Sequence, residues 1–168
     1  MNVDVPLFLR INEFARATGW LHGTVAAYAD YGIVLFAALM LAGWWIALRT
    51  ADPVVMGRAI WVPMGILLAL AVNQLLAHRY PSPSFPSDHA VMAGAAAAGL
   101  FGIGRALGWL ATLAALVMAF ARVYLAVHHP HDVAAGLMVG AVISMLGYLA
   151  ARRVLAWLVA LAESTPLR

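Results

Sequence analysis

Two short polar stretches interrupt an otherwise apolar chain, and together they hold five of its six histidines. The first is His78-Arg79-Tyr80-Pro81-Ser82-Pro83-Ser84-Phe85-Pro86-Ser87-Asp88-His89. The second runs from Arg122 to Asp132 and contains His128-His129-Pro130-His131-Asp132. Histidine changes charge near neutral pH, so it can act as nucleophile, proton carrier or metal ligand. Arginine presents a planar fork that matches the non-bridging oxygens of phosphate. Imidazoles, guanidinium and carboxylate gathered this closely point either to phosphoryl chemistry or to a metal site. The three histidines and the aspartate of 128–132 could ligate zinc. Their spacing fits no familiar zinc pattern, however, and no carboxylate-rich cage suits magnesium, so neither metal nor cofactor is expected. Cysteine is absent, which excludes thiol catalysis and disulfides.

The remaining residues must position these two stretches, and their composition says in what solvent. Of 168 residues, 65% are hydrophobic and 10% charged, with a mean hydropathy of +0.91. A soluble domain carries roughly 25% charged residues; this chain has too few to cover a water-facing surface. Segments 31–48, 59–77, 90–104, 106–127 and 133–151 are apolar enough to read as membrane spans. The expected fold is an all-α integral membrane protein: one domain over 1–168, a bundle of about five transmembrane helices. Residues 1–20 add a different element. Leu7, Phe8, Ile11, Phe14 and Ala15 recur at helical spacing with Arg10, Glu13 and Arg16 between them, the pattern of an interfacial amphipathic helix. Arg152-Arg153 and the apolar residues after them form a second interfacial segment or prolong the last span. All ten basic residues are arginines scattered at segment ends, so no nucleic-acid partner is expected.

Counting crossings brings the polar stretches together. From His89 the chain crosses once, turns at Arg105 and returns to Arg122, so both stretches meet on one face. Arg49, Arg58, Arg105, Arg152 and Arg153 gather on the other, with Trp44, Trp45, Trp61, Trp109 and Tyr148 as an aromatic belt. The positive-inside rule makes that second face cytoplasmic and the polar face extracytoplasmic. Arg122 falls within a span, where a guanidinium marks a function or a structural pair, here with Asp88 or Asp132. Pro130 suits the first turn of the last helix, whose free N–H groups could hold a phosphate. His129 and His131 read as solvated interfacial residues. Gly136-x3-Gly140 lets two helices approach closely.

Arg122-x5-His128-x3-Asp132 and Pro86-Ser87-Asp88-His89 resemble the third and second signature motifs of the type 2 phosphatidic acid phosphatase superfamily. Ser-Phe-Pro-Ser-Asp-His at 84–89, with the N-terminal stretch, is closest to the BcrC-type undecaprenyl-diphosphate phosphatases. The first motif departs from the pattern: its lysine position is Val72, and Tyr80 separates Arg79 from Pro81. His78, Asn73 or Gln74 could stand in for the lysine. The resemblance implies His128 as a nucleophile that becomes phosphohistidine, Asp132 as the group orienting it, and His89 as proton donor and then base. It places Arg79, Arg122 and the Pro86-Ser87-Asp88 stretch around the phosphate oxygens; a carboxylate there must be paired or protonated. It implies a lipid substrate whose tail stays among membrane lipids. Undecaprenyl diphosphate is the expected one, cleaved to monophosphate and phosphate for carrier recycling in cell-wall synthesis at the bacterial plasma membrane. Another lipid phosphate, phosphatidylglycerol phosphate or phosphatidic acid, is the alternative, and a transporter subunit the remote one.

Overall fold

The computed structural model describes residues 4–79 and 85–164. Tyr80 and Pro81 of the first motif therefore lie outside the described residues. The described chain forms six helices: α1 (Asp4–Ala17), α2 (Gly19–Thr50), α3 (Pro53–Ala77), α4 (Asp88–Phe101), α5 (Arg105–Tyr124) and α6 (Pro130–Ser164).

α2, α3, α5 and α6 are each long and apolar enough to cross a membrane. Their outward faces carry the side chains that lipid tolerates, such as Leu41, Leu67, Leu113 and Met138, all more than half exposed. α4 is different. Its 14 residues rise only about 21 Å, and nine of them are buried. It runs alongside α3, its two ends contacting the two ends of that helix. Near its start Asp88 is bonded to Asn73; at its end the Gly102 carbonyl accepts from Arg58 Nη1 at 2.6 Å. That arginine also closes the helix electrostatically, since C-terminal carbonyls attract cations.

Small residues explain how α4 fits. Ala90, Ala93, Ala95 and Ala96 are fully buried, and two glycine contacts set its spacing to α6. A methyl group on Gly94 would overlap the Leu137 carbonyl, and one on Gly140 would overlap the Val91 carbonyl. The backbones touch there, as the Gly136-x3-Gly140 spacing predicts.

One expectation changes and one open alternative resolves. Trp61 is 6% exposed and donates through Nε1 to the Ser144 carbonyl at 2.8 Å, so it is an interior residue and not part of an aromatic belt. The segment after Arg152-Arg153 prolongs α6 without a break. An alanine in the left-handed region follows the last residue of α2 (Ala51, φ 49°) and lies two residues beyond the end of α5 (Ala126, φ 57°). α1 lies across the ends of α5 and α6, its Phe8 and Ile11 packed on Ala90, Ala119, Val123 and Val133.

Candidate active site

Four helix ends converge on one face. The backbone following α5 folds back on Arg122, whose carbonyl accepts from Val127 N (3.1 Å) and His128 N (3.3 Å). This fixes the backbone of His128 relative to that of Arg122. α6 then begins with a side-chain lock. Asp132, in its first turn, reaches back to accept the His129 backbone N–H at 3.0 Å, the reciprocal half of a capping box. The same Oδ2 lies 4.0 Å from His128 Nδ1, with the two side chains 12% and 1% exposed. Such contacts in unliganded sites are often long and tighten when substrate arrives.

The start of α4 completes the face. Ser87 is its N-cap residue, yet its hydroxyl makes no capping bond, although capping is what serine usually does there. Ser87 is fully buried, and its Oγ has no hydrogen-bond partner among the described residues. Arg122 Nε is likewise buried and unpartnered among them. Ser87 N approaches the Asp132 carbonyl (3.4 Å), which joins α4 to α6 beside His128. His89, one residue into α4, is close enough to Arg122 for their charges to interact. A buried hydroxyl, a guanidinium N–H and a helix N-terminus are donors of the kind that can hold a tetrahedral anion.

The other candidate residues fall as follows. Pro86 is buried, and its carbonyl accepts from Asn73 Nδ2 at 3.2 Å. Asp88 turns to α3: its Oδ1 accepts from Asn73 Nδ2 (2.7 Å), and both its oxygens accept from Gln74 Nε2 (3.0 Å). Asn73 and Gln74 thus serve as the polar fixture for the Pro86–Asp88 turn and are not free to replace a lysine. They also leave the Asp88 carboxylate paired. Arg79 is exposed at the end of α3, immediately before the residues that are not described, and nothing among the described contacts joins it to His128.

Three features were not anticipated. The acid whose charge reaches both Arg122 and His89 is Asp30 of α2. The N–H of His131 does not await a phosphate: it donates to Asp4 Oδ1 at 3.0 Å. His129 and His131 are both engaged with α1. Asp4 Oδ2 lies 2.8 Å from His131 Nδ1 and 3.4 Å from His129 Nδ1, and Phe8 stacks on His129 with ring centroids 4.4 Å apart. Among the described residues no group of three or more His, Cys, Asp or Glu is arranged to hold a metal.

Comparison with known proteins fits this geometry. The family model described as the PAP2 superfamily matches residues 7–156. The chain is 28% identical over 157 residues to a protein of Bacillus licheniformis named bacitracin transport permease protein BcrC, covering 83% of this chain and 75% of that one. It is 26% identical over 159 residues to the undecaprenyl-diphosphatase BcrC of Bacillus subtilis (strain 168), covering 86% and 82% respectively. No solved structure matches it significantly.

Proposed function

Because the chain belongs to the PAP2 superfamily, and is thereby a membrane phosphatase, we propose that it hydrolyses a polyprenyl diphosphate to the monophosphate and inorganic phosphate. The observation that carries this reading is the pair of buried, unpartnered donors, Ser87 Oγ and Arg122 Nε, beside His128 and His89. Buried donors without partners cost about 1–3 kcal/mol each, a cost that a bound phosphate oxygen removes.

The proposed chemistry follows from which atoms face which. His128 turns Nδ1 toward Asp132, so a proton held there puts the nucleophilic lone pair on Nε2. Nε2 attacks the terminal phosphorus, the bond from phosphorus to the bridging oxygen breaks, and His89 protonates the departing polyprenyl monophosphate. Neutral His89 then takes a proton from water. The hydroxide displaces the histidine from phosphorus, releasing phosphate and restoring both imidazoles. Arg122, Ser87 and the N–H groups of α4 hold the charge that builds on the equatorial oxygens, as fixed donors do best. The scheme needs no metal ion. A diphosphate on an isoprenoid tail suits a site at the end of a bundle, where the tail stays in lipid. The name of the Bacillus subtilis relative supports this substrate over a glycerolipid phosphate. We place the site on the extracytoplasmic side of a bacterial plasma membrane, since Arg49, Arg58, Arg105, Arg152 and Arg153 mark the other face as cytoplasmic.

The Bacillus licheniformis relative carries a permease name, which raises transport as a second reading. Packing opposes it. Three of the buried polar residues, Asn73, Ser87 and Asp132, lie at the site end; Ser144 is a lone hydroxyl further along α6, and between them Val62, Ala69, Val91, Ala93, Ala95 and Ala96 are at most 1% exposed. A transport path would need polar groups near midplane.

The deciding experiment measures phosphate release by the purified protein, with a chelator, from polyprenyl diphosphate, phosphatidic acid and phosphatidylglycerol phosphate. Preference for the first and loss of activity in His128→Ala are expected. No release from any substrate refutes the enzyme reading, and preference for a glycerolipid refutes the isoprenoid one. Activity lost to the chelator and restored by a divalent ion refutes metal independence. A reporter fused after Arg168 should report the cytoplasm.

A further inference from the structure

We propose that Asp4 and His131 are positioning residues that aim the Asp132 carboxylate at His128, which makes the N-terminal helix a working part of the active site. The inference rests on the assignment of His128 and Asp132 above.

The His131 ring lies between two carboxylates, with Nδ1 2.8 Å from Asp4 Oδ2 and Nε2 3.0 Å from Asp132 Oδ1. Asp132 is thereby gripped from both sides: His131 faces Oδ1, while the His129 N–H and the His128 ring face Oδ2. The torsion of that carboxylate decides whether Oδ2 can accept from His128 Nδ1. The ring hydrogen-bonds Asp4 through Nδ1 and presses Nε2 against Asp132 Oδ1 at 3.0 Å, so it ties α1 to the carboxylate. Asp4 also accepts the His131 backbone N–H, so it fixes both the ring and the turn that carries it.

α1 is anchored firmly enough to do this. Phe8 stacks on His129, Ile11 packs against the ends of α4, α5 and α6, and beyond the C-terminus of α1 the Thr18 carbonyl accepts from Tyr124 Oη at 3.0 Å. The helix therefore splints the turn from Tyr124 to His131 at both ends. The ionisable groups around His131 are Asp4 from α1, His128 and His129 from the turn, and Asp132 from α6. The Phe85 ring lies 5.9 Å away on its other side.

The test compares wild type with Asp4→Asn, Asp4→Glu, His131→Ala and the double variant Asp4→Asn/His131→Ala, using phosphate release from polyprenyl diphosphate and the thermal midpoint of each. Loss of the contact that holds the Asp132 carboxylate should lower kcat about 10- to 100-fold in either single variant. KM should stay within about threefold of wild type, because an orienting defect leaves substrate binding in place. Asp4→Glu should recover most of the lost kcat, and the double variant should be no slower than the slower single one. The proposal is overturned if His131→Ala keeps wild-type kcat, or if the two losses multiply. It is equally overturned if kcat falls only in step with the thermal midpoint and Asp4→Glu does not restore it. An inactive wild type overturns the phosphatase reading along with it.

Discussion

Gly140→Ala tests whether the contact between α4 and α6 sets the geometry of the site. The new methyl would overlap the Val91 carbonyl oxygen and lie 2.8 Å from the Ala95 nitrogen. Ordinary contact begins at 3.4 Å, so the nitrogen alone requires a retreat of about 0.6 Å, and the carbonyl requires more. Both neighbours are backbone atoms of a helix, which cannot rotate aside as a side chain can. Overpacking of this kind costs about 1–3 kcal/mol, not enough in itself to unfold most membrane bundles. The displacement matters more. Gly140 lies eight residues beyond Asp132 on one continuous helix, about 12 Å along its axis. α6 therefore moves nearly as a rod and carries Asp132 and the neighbouring His128 away from Ser87 and His89. A misplacement of 1 Å can cost on the order of 100-fold in rate. The expected result is a folded protein with a lower thermal midpoint and phosphate release reduced about 100-fold. Gly23→Ala, where nothing lies within 4 Å of the added methyl, is the control. Gly140→Ala activity within threefold of wild type would refute the claim that backbone contact between α4 and α6 positions the catalytic groups.

Asn73→Ala should destabilise the protein by about 2 kcal/mol, because it strips donors from the Pro86 carbonyl and the Asp88 carboxylate; chemical denaturation and the KM for substrate would report it. Ala126→Gly should raise stability by roughly 0.5–1 kcal/mol, since glycine adopts the left-handed conformation at φ 57° without the Cβ penalty, and a shifted thermal midpoint would show it. Docking of α1 should weaken in acid. Burial pushes the Asp4 carboxyl up from its ordinary value of 3.8, but hydrogen bonds from His131 and the charges of His131 and His129 outweigh it and hold the group lower. A group depressed in the docked state stabilises that state fully above 3.8 and loses the contribution as pH falls through the depressed value. A fluorophore on Arg10→Cys, the only thiol in the chain, should report the change, and Asp4→Asn should flatten it.

Much of this site was legible along the chain. His128, Asp132, Ser87, His89 and Arg122 lie at segment ends, and crossing parity alone brings those ends to one face. The spans could be read because apolar length is a local property. Other features depend on rotational phase and on contacts between residues far apart in sequence. Asp4 and His131 are 127 positions apart, and nothing local marks Asp4 as facing inward. Asp30 sits at the edge of an apolar run and could have faced lipid headgroups or water. Asn73 and Gln74 were visible as polar residues in a span, but their partner Asp88 emerges only when α3 and α4 lie antiparallel. Trp61 shows the limit of composition: tryptophan favours the interface, and a carbonyl acceptor on α6 overrode that preference.

The scarcity of large side chains on α4 has a consequence for biogenesis. Most of its residues are alanine and glycine, its glycines meet backbone on α6 and side chains on α3, and its length is short of a bilayer's hydrocarbon core. A nascent chain that has made only α1 to α4 offers this helix no partner on the α6 side. Its backbone would face lipid across a thin coat of methyl groups, and its polar start would lack Asp132. Stable insertion of α4 must therefore await synthesis of α6, some thirty residues later. The face that carries the candidate site is then the last part of the protein to form.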